Sequence, residues 1–185
     1  MALVLAIAAS PVMGQEHRQL GAHEHGVGKL NIAFDSGQIF MEMSAPGADI
    51  VGFEHAPESA RDRATVNDAV ARLAQPLDLF ALSEDAGCSV AQAKARFVTK
   101  ENKEHDSHDV TGEKEISAAG HAEFHAEYSF TCSDFTAFDQ IVFTYFTVFP
   151  KARELDIQLI SEKGAWHAEI SREAPVLDLR GRTQR

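Results

Sequence analysis

The stretch GHAEFHAEYSFTC, residues Gly120–Cys132, alternates polar and apolar side chains without a break. This period of two is typical of a β-strand that buries one face and exposes the other. The polar face carries His121 and His125, with Glu123 between them. Side chains two residues apart on a strand point the same way, about 6.5–7 Å apart. The stretch therefore predicts a sheet protein in which one polar strand face presents nitrogen and oxygen donors.

Other parts of the chain predict the elements around this strand. Runs of alternating apolar residues flank Ser36-Gly37, which is the signal of a β-hairpin. The only long helical pattern covers about residues 58–74, and the C-terminal third predicts several strands with a short turn or helix. Residues of about 100–120 hold few apolar side chains and predict a long acidic, His-containing hairpin loop. The predicted fold class is α+β: a single domain with an antiparallel β-sheet of about six or seven strands and one main helix packed on it.

The overall charge restricts the class of partner. The 185 residues include 17 basic and 28 acidic side chains, which gives a formal net charge of −11. Such a surface repels the phosphate backbone, so nucleic acid is excluded as a partner. The same surface attracts cations.

The first 14 residues, MALVLAIAASPVMG, are apolar and uncharged. They are too short to span a bilayer, which takes about 20 apolar residues, and they match the apolar region of a secretory signal peptide. No Lys or Arg precedes them, so a start truncated upstream and a buried N-terminal helix are the alternatives. We expect a signal peptide at 1–14, a loose lead at 15–21, one domain at 22–180 and a tail at 181–185. We therefore expect an exported protein that has no stable membrane span once the signal peptide is removed.

Two cysteines, Cys88 and Cys132, agree with export, because an exported pair is expected to oxidise to a disulfide. A catalytic or metal-bound pair is the alternative, although neither cysteine lies in a CxxC motif or beside a histidine. With the disulfide in place, the two cysteine-bearing strands would run antiparallel, and the imperfect alternation of residues 89–98 predicts a β-bulge.

Histidine is the residue type that carries the functional hypothesis. Neutral imidazole suits Zn²⁺, Cu²⁺ or Ni²⁺, and a carboxylate can complete the ligand set. Two pairs, in HEH and HAEFH, and a loop segment EHDSH bring such donors close in sequence. Two of these segments would have to converge, because one strand pair is too widely spaced for a tetrahedral site. The candidate metal ligands are His121, His125, His23, His25, Glu123, His55, His105 and His108.

Each of these residues also has a purely structural interpretation. Histidine and glutamate are acceptable on any solvated strand face, and EHDSH is acceptable in a solvated charged loop. His55 in GFEHAP precedes the predicted helix and could be a capping or turn residue. His167, beside Trp166, is expected to be an ordinary packed or exposed strand residue.

Signals of catalysis are weak. The chain holds no GxSxG, HExxH, Walker or dinucleotide-binding motif, and no pair of carboxylates is distinguished by its spacing. We therefore expect a protein that is not an enzyme, and a zinc hydrolase ranks last among the hypotheses. A metal-independent interaction module that presents its sheet to a partner is the main alternative to a metal-binding protein.

Several stretches resemble the ZrgA family, in the order found there. They are AHEHGVGKLNIAFD, ADIVGFEHAP, the LFAL…GC run, HAEFHAEYSFTC, VFP and ELDIQLIS, and the resemblance covers about residues 22–180. Members are bacterial periplasmic zinc-binding proteins implicated in zinc uptake, formerly known as a domain of unknown function.

The resemblance implies a periplasmic protein that binds Zn²⁺ as cargo and works beside a zinc uptake transporter or its periplasmic components. By matching motifs, it carries over His23, His25, His55, His121 and His125 as functional positions. Family members typically have a dense His/Asp run in the loop between the cysteine-bearing strands, whereas this loop retains only two histidines. Zinc binding should weaken as imidazole protonates near pH 6.

Overall fold

The computed structural model describes residues 26–99 and 122–183. The predicted signal peptide, lead and acidic loop lie outside these residues. The described strands are β1 (Val27–Asp35), β2 (Gln38–Pro46), β3 (Phe80–Leu82), β4 (Cys88–Val98), β5 (Glu123–Cys132), β6 (Gln140–Phe143), β7 (Glu154–Ser161), β8 (Gly164–Ser171) and β9 (Val176–Asp178). The described α-helices are α1 (Gly47–Ile50), α2 (Ala60–Leu73), α3 (Pro76–Leu79) and α4 (Tyr145–Val148). None of these helices is long and apolar enough to cross a membrane.

The fold contains α-helices and largely antiparallel sheets, so it is α+β as predicted. The strands form two sheets, however, where one was predicted. Six strands lie in the order β4-β5-β2-β1-β7-β8, and a second sheet has the order β3-β6-β9. All neighbours in the larger sheet are antiparallel except β1 and β7, which run parallel. The predicted purely antiparallel sheet was therefore wrong. Alternation with a period of two indicates which face of a strand is buried. It does not indicate whether a partner strand far away in the sequence runs parallel or antiparallel.

The core lies on one face of the six-stranded sheet. Buried side chains of this face, such as Leu30, Phe124 and Ile157, join one apolar cluster with Leu73 of α2 and Phe143 of the second sheet. Side chains at the alternate positions of the same strands point away from this cluster and are partly or fully exposed for the most part. Among the described residues, the sheet therefore has one covered face and one face that no other element packs against, called the open face below.

Helix α2 begins at Ala60, two residues later than the sequence pattern indicated. Ser59 and Asp62 form a capping box, in which the Ser59 hydroxyl accepts from the Asp62 backbone N–H and the Asp62 carboxylate accepts from the Ser59 N–H. The helix turns Val66, Ala69 and Leu73 into the core.

A disulfide joins Cys88 to Cys132, with an S–S distance of 2.05 Å, as predicted. The two cysteines are direct partners across the antiparallel pair of β4 and β5. The predicted bulge is also present, between Val90 and Gln92. The disulfide therefore clamps one end of this pair of strands.

Candidate metal centre

Strand β5 carries the described part of the candidate site. It lies between β4 and β2, so it is an interior strand of the sheet and its polar side belongs to the open face. Phe124 and Tyr128 are buried in the core on the opposite side. The alternation in the sequence predicted this division of the strand into two faces correctly.

His125 and Glu123 form a hydrogen-bonded pair at the start of β5. The distance from His125 Nε2 to Glu123 Oε2 is 3.0 Å, and the His125 side chain is 30% exposed. A carboxylate only accepts, so Nε2 carries the proton and the lone pair lies on Nδ1. An imidazole held by a carboxylate through one nitrogen can bind a metal through the other.

Glu123 is buried, although its position in the alternation placed it on the solvated face. The residue is only 4% exposed. Its neighbour Ala122 is fixed on both sides by the backbone, because Gly47 N–H donates to Ala122 O at 2.8 Å and Ala122 N–H donates to Glu54 O at 3.1 Å. The segment between Gly47 and Glu54 thus packs around this end of β5.

The start of β1 is fixed at the same end of the sheet. Both carboxylate oxygens of Asp49, which is 4% exposed, accept from the Gly26 N–H at 2.8 and 3.0 Å. Gly26 O in turn accepts from the N–H groups of Arg153 and Glu154, each at 2.9 Å. Gly26 has φ 92°, a conformation that residues with a side chain rarely adopt, so glycine is favoured here. The residue that follows His25 in the sequence is therefore held firmly.

His55 lies in the turn that precedes α2 and is exposed. Its ring stacks on Phe53 with centroids 4.7 Å apart, and its Nδ1 donates to Ala56 O at 2.8 Å. These contacts match the turn role considered for it, and they leave the lone pair of Nε2 available. Because Glu54 is bonded to Ala122, His55 and His125 belong to the same end of the sheet.

The structure describes only three of the eight candidate ligands: His55, Glu123 and His125. Within residues 26–99 and 122–183, no group of three or more His, Cys, Asp or Glu side chains could hold a metal ion. The described residues therefore do not hold a complete donor set by themselves. The candidates outside the described residues are His23, His25, His105, His108 and His121.

Sequence reasoning missed a second histidine–carboxylate pair on the open face. His167 Nε2 on β8 lies 2.7 Å from Asp156 Oδ1 on β7, and the two side chains are 57% and 36% exposed. The β7–β8 hairpin closes at the two residues between Ser161 and Gly164, which fixes the register of the strands. Counting back from that turn places Asp156 and His167 one diagonal apart, so the signal was present in the sequence.

Comparison with known proteins supports the resemblance found in the sequence. The model of the ZrgA family, described as a zinc uptake protein family, matches residues 22–179. A search among curated proteins finds no match. The family is described by zinc uptake and not by a catalytic activity. Because the match covers most of its length, the chain belongs to the ZrgA family of zinc uptake proteins.

Proposed function

We propose that this protein captures Zn²⁺ in the periplasm and assists its uptake by a transporter. The observation that carries the proposal is the His125–Glu123 pair, with Nδ1 available, in a chain that belongs to a zinc uptake family. Zinc is then cargo that is bound and released, and not a catalytic cofactor. The disulfide agrees with an oxidising compartment.

The chemistry of the pair suits zinc. Imidazole nitrogen is a common zinc ligand, and metal-binding histidines usually donate their other N–H to a carboxylate or carbonyl. Glu123 holds the His125 ring in this way, and burial protects the hydrogen bond from water. His125 itself remains partly exposed, so an ion can reach it and leave it.

The other ligands are proposed from sequence position. His121 directly precedes Ala122, and His23 and His25 precede Gly26. Ala122 and Gly26 are both fixed at the end of the sheet where β5 begins. We assign His121 and His125 as first choices, with His23, His25 and His55 next. His105 and His108 would act as a weaker cation trap in the acidic segment.

The long-range charge favours capture. A net charge of −11 raises the local concentration of cations around the protein. Zinc binding requires neutral imidazole, so the affinity is expected to fall on acidification.

Calorimetric zinc titration of the untagged, metal-free protein tests the proposal. We expect submicromolar binding that a His121→Ala/His125→Ala variant loses. His167→Ala is the matched control, because it removes a carboxylate-held histidine from the same open face but far from the start of β5. Weak or absent binding by the parent protein would refute zinc capture, and equal losses in the control would refute the location.

A finer variant tests the role of Glu123. We expect Glu123→Gln to weaken zinc binding about 10- to 100-fold, as is typical when a carboxylate that orients a metal-bound histidine is changed. Asp156→Asn makes the same change in the second pair and should leave the affinity unaltered. An unchanged affinity in Glu123→Gln would mean that the pair is only structural.

A metal-independent periplasmic interaction module is the second candidate function. It is favoured by the incomplete donor set among residues 26–99 and 122–183, and by the exposure of Phe40 and Ile160 on the open face. Capture of a periplasmic partner by a variant lacking all the candidate histidines, in the presence of chelator, would support it over zinc capture.

A further inference from the structure

The open face of the six-stranded sheet is organised in rows that cross every strand. One such row is fixed by the register of all five strand pairs. In the order of the strands from β4 to β8, it consists of Arg96, His125, Ser44, Lys29, Asp156 and Glu169.

Charge is distributed unevenly across this face. At the β4 edge it carries Lys94 and Arg96, and Arg96 forms an ion pair with Glu127 of the neighbouring β5 at 3.3 Å. On β7 and β8 it carries the acidic residues Glu154, Asp156 and Glu169, and no Lys or Arg occupies that face of these two strands. The outer strands of the open face therefore differ in charge: β4 is basic, and β7 and β8 are acidic.

An apolar row on β2, β1, β7 and β8 lies on the same face, four residues along the strands from the first row. Phe40 of β2 and Ile160 of β7 are 41% and 59% exposed, and Ala33 and Ala165 lie in register with them. Large exposed apolar side chains that are grouped together and bordered by charges are typical of protein contact surfaces.

We propose that a second copy of this chain packs against the open face, about a two-fold axis parallel to the strands. This axis reverses the order of the strands, so β4 of one copy faces β8 of the other, β5 faces β7, and β2 faces β1. The surface is self-complementary, as a two-fold contact requires. The inference does not depend on zinc.

In the reversed row, each position places a basic side chain of one copy opposite an acidic or polar side chain of the other. Arg96 faces Glu169 of the second copy, and His125 faces Asp156 of the second copy. In the apolar row, Phe40 faces Ala33 of the second copy, and Ile160 faces Ser129 of the second copy. Because the axis is two-fold, each of these contacts occurs twice.

One position opposes two acids. Glu123 faces Glu154 of the second copy, but Glu123 is buried and hydrogen-bonded to His125, so little of it reaches the contact. The repulsion between these two carboxylates lowers the affinity of the dimer. It does not outweigh the attraction between β4 of one copy and β8 of the other.

The size of the face sets the strength of the contact. Six strands about 4.8 Å apart and roughly eight residues long cover about 650 Å² per copy, below the ~800 Å² per partner of a standard interface. With two large apolar side chains per copy, we expect a dissociation constant on the order of 10 µM or weaker. The protein is then a monomer when dilute and a dimer at high concentration.

Sedimentation equilibrium of the untagged protein with EDTA, over a wide range of concentration, measures this association. Arg96→Glu and Glu169→Arg should each raise the dissociation constant at least tenfold, because each places two like charges opposite each other twice. The double variant Arg96→Glu/Glu169→Arg restores the pairing with reversed signs and should recover most of the affinity.

Arg61→Glu is the matched control, since it makes the same charge change at an exposed position on α2, away from the open face. Thermal unfolding of each variant verifies that it is folded. A protein that stays monomeric at every concentration would overturn the inference. The inference would also be overturned if neither single variant raised the dissociation constant, or if the double variant did not recover the affinity. Since chelator is present throughout, each of these results leaves the zinc proposal standing.

Discussion

Removal of the disulfide should separate the stability of the fold from the chemistry of the site. The bond joins residues 44 apart in the sequence. For a closed loop of that length, the loss of chain entropy in the unfolded state corresponds to about 4 kcal/mol at 25 °C. The double variant Cys88→Ala/Cys132→Ala, and the reduced wild-type protein, should each lose about this much free energy of unfolding.

Zinc affinity should respond differently. Cys132 lies seven residues beyond His125 on β5, which corresponds to about 24 Å along the strand. The disulfide and the His125–Glu123 pair thus lie at opposite ends of the strand. Under conditions where the variant remains folded, zinc affinity should stay within about threefold of wild type.

Urea unfolding followed by circular dichroism gives the first quantity, and calorimetric titration below the unfolding transition gives the second. Agreement between the reduced protein and the double variant shows that the covalent link, and not the packing of sulfur, is responsible. A loss below about 1 kcal/mol in both would refute the chain-entropy argument. A collapse of zinc affinity in folded protein would refute the separation of the two ends.

Two further predictions concern the elements around β5. Tyr128→Phe should cost about 1 kcal/mol in urea unfolding, because the buried Tyr128 hydroxyl donates to Leu73 O at 2.9 Å, and a loss near zero would contradict that role. The Ser59 N–H bond holds the pKa of Asp62 below its ordinary value of 3.8. Asp62 therefore stabilises the fold above the ordinary pKa, and this contribution is lost as the pH falls through the lower folded value. The stability difference between wild type and Asp62→Asn should shrink below about pH 4, and a constant difference down to pH 2 would contradict this.

Local features of the fold could be predicted from the sequence. The β1–β2 hairpin followed from alternation on both sides of Ser36-Gly37, where both residues adopt positive φ, 49° and 82°. The disulfide was predicted from the presence of two cysteines in a chain that was expected to be exported. Helix α2 was found, but its start was misplaced because the Ser59 capping box was overlooked.

Features that depend on distant partners could not be predicted. Nothing in the period of β1 indicates that its second neighbour is β7, or that the two run parallel. Glu123 has the alternation of an exposed residue, yet it is buried, and the segment from Gly47 to Glu54 bonds to the residue before it. Burial of a polar strand residue by a remote loop leaves no local pattern in the sequence.

The central place of β1 has a consequence for how the chain assembles. Val27 pairs with Glu154, 127 residues later, so the first described strand keeps one side unpaired until nearly the whole chain has been made. Such a contact closes a long loop and is slow to form. The β1–β2 hairpin must meanwhile expose an edge that can pair with other chains. In a chain that emerges from its N-terminal end, β1 is present long before its partner β7, and we expect aggregation to be most favoured just before β7 emerges.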